Sequence, residues 1–138
     1  MVDVVTWAPR ARAALRIMAG LLFISHGIAK VCGYPPGGWP MAKPEFGTVL
    51  WVSAMLELFG SPFIIVGLFT RPVAFLLSGE MAVAYFSVHA PGSFFPILNH
   101  GEGAILYCFI FFYLFVAGPG AWSIDGILAR KLAASPPS

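Results

Sequence analysis

Gly20-Leu21-Leu22-Phe23-Ile24-Ser25-His26-Gly27-Ile28-Ala29-Lys30 reads as the heart of a membrane-spanning helix, yet it carries two basic side chains one turn apart. Residues four apart on a helix return to the same face, so His26 and Lys30 point the same way. A basic pair in hydrocarbon is costly unless acidic groups inside the protein meet it. The other apolar runs supply three candidates, Glu57, Glu80 and Glu102. This buried polar set is the expected centre of the molecule.

Working outward, the 138-residue chain is 59% hydrophobic and only 10% charged, with mean hydropathy +0.84. A soluble domain usually has about a quarter of its residues charged, so composition argues for a membrane protein. The net charge of +2 gives no footing for a nucleic-acid partner. Cys32 and Cys108 fall at different depths, which argues against a disulfide between them. Arg10, Arg12 and Arg16 ahead of an apolar run mimic a signal peptide, but His26 and Lys30 interrupt that run, and it reads as a retained first span.

The fold class expected is all-α: a polytopic membrane four-helix bundle in a single domain, 1–138, with a short C-terminal interfacial helix. Four spans are expected at about 13–31, 48–69, 73–89 and 100–117, each near the roughly 20 residues a bilayer core requires. Pro9 suits a helix start, and Arg16, near the end of the first span, can snorkel outward. Pro62 predicts a kink just past Glu57, because it cannot donate to the Leu58 carbonyl. Thr70-Arg71-Pro72 reads as a tight turn. Ser123 resembles an N-cap for a helix at about 123–133, whose stripe Ile124, Ile127, Leu128 and Leu132 beside Arg130 and Lys131 suits a membrane surface.

Two breaker-rich loops, Cys32 to Gly47 and Ala90 to Asn99, carry the aromatics Trp39, Phe94 and Phe95. Arg10, Arg12, Arg16, Arg71, Arg130 and Lys131 fall on one side of a four-span arrangement, and Lys43 on the other. The positive-inside rule then places both termini in the cytoplasm of a multi-pass protein of the cell (inner) membrane.

Counting depth along each helix brings most of the ionisable residues toward the outer leaflet. Lys30 neutralises one carboxylate among Glu57, Glu80 and Glu102; the others must hold a proton, meet a protonated histidine or reach water. Such a set can exchange protons with a bound molecule, and it can equally hold helices together in one packing. His89, nine residues after Glu80, lies about half a turn out of phase on a regular helix. His89 and His100, with Trp39, Phe94 and Phe95, are candidate substrate contacts. No Glu-x-x-His pair stands at helical spacing, and no metal site is assigned.

The ordered set of motifs resembles the DoxX-like family of small four-helix integral membrane proteins over about residues 16–126. It comprises the opening stretch, Glu57-Leu58-Phe59-Gly60, Gly67-Leu68-Phe69-Thr70-Arg71, Glu80-Met81, His89, Gly101-Glu102, Gly118-Pro119-Gly120 and Ser123-Ile124-Asp125. Ser61-Pro62 stands where the family usually continues Gly60 with another glycine. The resemblance implies a four-helix bundle and, for some relatives, a role as a subunit of a quinone-linked oxidoreductase. On that expectation His26, Lys30, Glu57, Glu80 and Glu102 form a proton-handling cluster, quinone is the candidate cofactor, and the partners are the lipid bilayer and a membrane protein or a second copy of the chain. The alternative is a non-catalytic accessory or assembly subunit of a larger membrane complex; a small transporter or proton path ranks third, since no inverted repeat supports alternating access.

Overall fold

The computed structural model describes residues 3–36 and 43–134. They form α1 (Val4–Cys32), α2 (Val49–Val66), α3 (Thr70–Ala84) continued by a π-helical turn (Tyr85–His89), a short α4 (Pro96–Asn99), α5 (Glu102–Ala117) and α6 (Ile124–Ala134). Among the described residues no strand occurs, and the fold is an all-α membrane bundle. Helix α1 pairs with α2, α3 pairs with α5, and α2 joins the two hairpins through α3. α1 and α2 are each long and apolar enough to cross a membrane, and α5 is a shorter apolar helix.

Helix boundaries differ from the sequence expectation where side chains from distant segments act as caps. Asp3 accepts from the Val5 N–H (3.1 Å), so α1 begins at Val4 and Pro9 lies inside it rather than at its start. At the other boundary, Phe69 precedes α3 in the left-handed region (φ 49°) and offers no side-chain cap. The Asp125 carboxylate, from α6, supplies it instead, accepting from the Phe69 and Thr70 N–H groups at 2.8 and 2.9 Å. Thr70-Arg71-Pro72 is therefore the first turn of a helix and not a connecting turn; a proline there gives up an N–H that has no partner within the helix. Helix α2 starts after Thr48, whose hydroxyl accepts from Trp51 N–H (3.2 Å), passes through Pro62, and stops at Val66 before Gly67 at φ 68°.

Arg16 is the largest departure. Because α1 starts early, Arg16 lies well inside it and has no exposed surface at all. Its guanidinium donates to the Ile64 and Ile65 carbonyls at the end of α2, and to those of Pro119 (2.9 Å) and Trp122 (2.8 Å) in the segment that follows α5. Arg12 donates to the Ala117 carbonyl, and Arg71 to those of Phe115 (2.8 Å) and Val116 (2.7 Å). Carbonyls in a last helical turn have no partner within the helix and carry the negative end of its dipole, so guanidinium groups close two helix ends here. Arg16 does not snorkel; a returning loop satisfies it in place.

Phe23, Ile64, Leu77, Met81, Phe111 and Leu114 fill the core, with Phe23 and Phe111 edge to face at 4.9 Å. Phe109, Phe112 and Val116 stay on the outside of α5. Helices α1 and α2 touch backbone to backbone at Gly27: a Cβ there would meet Leu58 N at 2.7 Å and Leu58 Cα at 3.0 Å. Small residues let membrane helices approach this closely. Gly27→Ala is expected to destabilise the chain by about 1–3 kcal/mol in a denaturant titration in mild detergent. Gly79→Ala, whose Cβ meets nothing within 4 Å, is expected to unfold no more readily than the native chain.

Candidate functional site

The close approach at Gly27 fixes the register that brings Lys30, one turn later, against α2. Lys30 Nζ donates to Glu57 Oε1 at 2.6 Å and to Ser53 Oγ at 2.7 Å. Ser53 lies one helical turn before Glu57, so α2 presents both groups on one face. Ser53 Oγ in turn donates to Glu80 Oε1 on α3 at 2.6 Å. The result is a hydrogen-bonded chain Glu57–Lys30–Ser53–Glu80 across three helices, with every member less than a tenth exposed. The second carboxylate oxygens, Oε2 of Glu57 and of Glu80, are buried without a hydrogen-bond partner among the described residues.

All four residues line a cavity of about 940 Å³. Its wall is otherwise mainly apolar, from Phe23, Ala29, Leu50, Leu56, Met81 and Ala104. It runs to the end of the bundle marked by Pro35, Thr48, His89 and His100. Val52, Leu76 and Val83 line it on the α2 and α3 side and are exposed, as are Ser25, His26 and Gly103 on the α1 and α5 side, so the cavity reaches the surface and His26 lies at its edge rather than among the buried residues. A volume of this size, with apolar walls and a few convergent polar groups, matches the usual anatomy of a small-molecule site.

His89 reaches this cavity because the end of α3 is not a regular helix. The Ala90 N–H bonds to the Tyr85 carbonyl (2.8 Å), five residues back, and the wider turn changes the angular phase after Ala84. Val88 and His89 line the cavity together with Ser87, which regular helical spacing already puts on the face of Glu80. Regular 3.6-residue geometry put His89 and Glu80 on opposite sides, and the π turn is what reconciles them. His89 Nδ1 lies 3.0 Å from the Asn99 carbonyl. Asn99 is buried, donates to the Ser93 carbonyl (2.8 Å) and accepts from the Gly101 N–H (2.7 Å), which orders the loop that carries His100.

The structure divides the expected site residues into two groups. Lys30, Glu57 and Glu80 are joined; His26, His89 and His100 share their cavity. His26 makes no bond to the carboxylates but packs edge-on to Tyr107, centroids 6.0 Å apart. Glu102 is not among the cavity residues: it is exposed in the first turn of α5, where a carboxylate complements the helix dipole. Phe94 and Phe95 are exposed and stack edge to face on each other at 5.5 Å, away from the cavity. Trp39 lies outside the described residues. Ser53 and Tyr107 belong to the site and were not expected there. Ser53 had a signal, a hydroxyl one turn from Glu57 in an apolar run; Tyr107 is chosen by how α5 packs.

The DoxX family model matches residues 11–90. An uncharacterized protein of Haemophilus influenzae is 41% identical over 132 residues, covering 91% of this chain and 96% of that protein. The inner membrane protein YqjF of Escherichia coli is 31% identical over 125 residues, covering 84% of this chain and 90% of that protein. No solved structure matches the chain significantly.

Removing one member of a buried ion pair leaves the other uncompensated. Lys30→Met is therefore expected to cost about 3–5 kcal/mol of unfolding free energy. The double variant Lys30→Met/Glu57→Gln is expected to recover more than half of that loss. Additive losses in a double-mutant cycle run by detergent unfolding would show that the two side chains are not coupled.

Proposed function

This chain belongs to the DoxX family of membrane proteins, and on that premise we propose that it is the membrane subunit of a quinone-linked oxidoreductase system. The observation that carries the reading is the cavity: apolar along most of its wall, charged at one pole, and open on a flank built from exposed aliphatic residues. A quinone has the same division, a ring with hydrogen-bonding oxygens and an apolar tail. The ring sits against the Lys30–Ser53–Glu80 pole, and the tail leaves between α2 and α3 into the bilayer. Reduction of a quinone takes two electrons and two protons. The electrons come from a redox carrier on a partner protein, and Glu80 and His26 exchange the protons, with His89 and His100 at the rim. Lys30 and Glu57 hold each other and set the charge of the pole.

The basic residues support an orientation. Arg12, Arg16 and Arg71 all close helix ends at the pole opposite the cavity, and Asp125 and Ser123 anchor α6 there. The positive-inside rule places that end, with both termini, in the cytoplasm of a bacterial inner membrane. The cavity then faces the outer leaflet, and α6, with Ile127, Leu128 and Leu132 exposed, lies in the cytoplasmic interface.

Equilibrium binding of a short-chain benzoquinone to the purified chain in detergent tests the reading. Saturable binding is expected. Leu56→Trp, which fills the cavity, is expected to weaken it by at least about tenfold, equivalent to about 1.4 kcal/mol. Phe109→Ala, on the outer face of α5, is expected to leave it unchanged. Absence of saturable binding, or equal loss in both variants, removes the proposal.

A further inference from the structure

The directions of the hydrogen bonds at the charged pole decide how Glu80 can meet a ligand. Ser53 has one hydroxyl proton. Lys30 Nζ is 2.7 Å from Ser53 Oγ and can only donate, so it occupies the acceptor side of that oxygen. With Glu80 ionised, the Ser53 proton goes to Glu80 Oε1, at 2.6 Å. Oε1 then accepts, and a proton taken up by Glu80 with this bond kept in place sits on Oε2. That atom is the one left buried without a partner, on a residue of the cavity wall that is only 9% exposed.

Charge separates Glu80 from Glu57. Glu57 is ion-paired to the ammonium of Lys30 at 2.6 Å, whereas the Glu80 carboxylate, among the described residues, accepts only from a neutral hydroxyl. One lysine cannot neutralise two carboxylates. The second must either take a proton or receive a hydrogen bond from something that enters the cavity. A quinone offers only acceptor oxygens, and its reduced form, the hydroquinone, offers hydroxyl donors.

We propose that Glu80 distinguishes the two oxidation states of a bound ring: as a carboxylate its Oε2 accepts from a hydroquinone hydroxyl, and with a proton on Oε2 it donates to a quinone carbonyl. This rests on the reading of the cavity as a quinone-ring site and assigns the specificity within it. The preference between the two forms is then linked to pH, since the donor ligand favours the ionised acid and the acceptor ligand the protonated one. The other titratable groups around the pole are Lys30 and His26 on α1, Glu57 on α2, His89 after α3, and His100 and Tyr107 from the C-terminal part of the chain. Lys30 and Glu57 compensate each other, and none of the remaining four has a hydrogen bond to Glu80 among the described residues.

The test compares binding of a short-chain benzoquinone with that of its hydroquinone, kept reduced anaerobically, to the purified full chain. Between about pH 5 and about pH 9, the affinity ratio of hydroquinone to quinone is expected to rise by about tenfold, within the one decade per pH unit that one-proton linkage allows. In Glu80→Gln, the amide oxygen still accepts from Ser53 and an N–H group replaces Oε2, so quinone is expected to bind better at every pH with a flat ratio. Glu80→Asp keeps a carboxyl and is expected to keep the slope, which decides the matter even where the Gln variant fails to elute as a single species. A flat ratio in the native chain, or a slope that survives Glu80→Gln, overturns the assignment while leaving ring binding intact. Binding of neither form overturns both this assignment and the ring-binding reading.

Discussion

Lys30 and Glu57 meet at 2.6 Å inside an apolar bundle, and most of the molecule can be read as the setting for that contact. Two charges withdrawn from water are tolerated only in good geometry with their remaining hydrogen-bonding capacity used. Gly27 gives α1 and α2 the approach that makes the contact short. Ser53 uses a second proton of the ammonium and carries the network to α3. The pair thus does in this fold what a polar residue does at a membrane-helix interface, favouring one packing over its neighbours.

The bundle buries charge in two different ways at its two ends. At the arginine end the guanidinium groups of Arg12, Arg16 and Arg71 donate to backbone carbonyls that the helices themselves leave open, while Arg12 Nε and Thr70 Oγ1 are buried without a hydrogen-bond partner among the described residues. Arg16 joins the end of α2 to the segment after α5, and Asp125 caps α3 from α6, so this end is closed by contacts far apart in sequence. At the carboxylate end two buried carboxylate oxygens also lack partners among the described residues, and here a cavity lies beside them. An unpartnered buried polar atom becomes available to another molecule only where there is space beside it. The cavity, more than the unpartnered atoms or the presence of acidic residues, separates the structural end from the candidate site.

What could be read in advance follows from locality. The helical order, the pairing of Lys30 with a glutamate and the N-cap at Ser123 all depend on periodicity or on spacing of a few residues. The burial of Arg16 has no local signature, because its partners are about 50 and 105 positions away and no local pattern announces a returning loop. His89 was placed out of phase because the π turn breaks the 3.6-residue rule on which the argument stood. Depth and the family motif bring Glu102 into the expected site, and aromatic character brings Phe94 and Phe95; neither says which way a side chain faces, and all three are exposed outside the cavity wall. Chemistry also differs in kind from packing: Ser53 lay in plain view beside Glu57, but its value emerges only when Glu80 arrives from α3.

The central claim is that a ring-bearing ligand occupies the cavity beside the Lys30–Glu57 pair. The most direct measurement is photolabelling of the chain in native membranes with a photoreactive benzoquinone, followed by peptide mapping with and without excess unlabelled quinone. The account predicts competable label on cavity residues such as Ala29, Val52, Leu56 and Val83. Label confined to the outward faces of α5, at Phe109 or Phe112, or label that excess quinone does not displace, would contradict it.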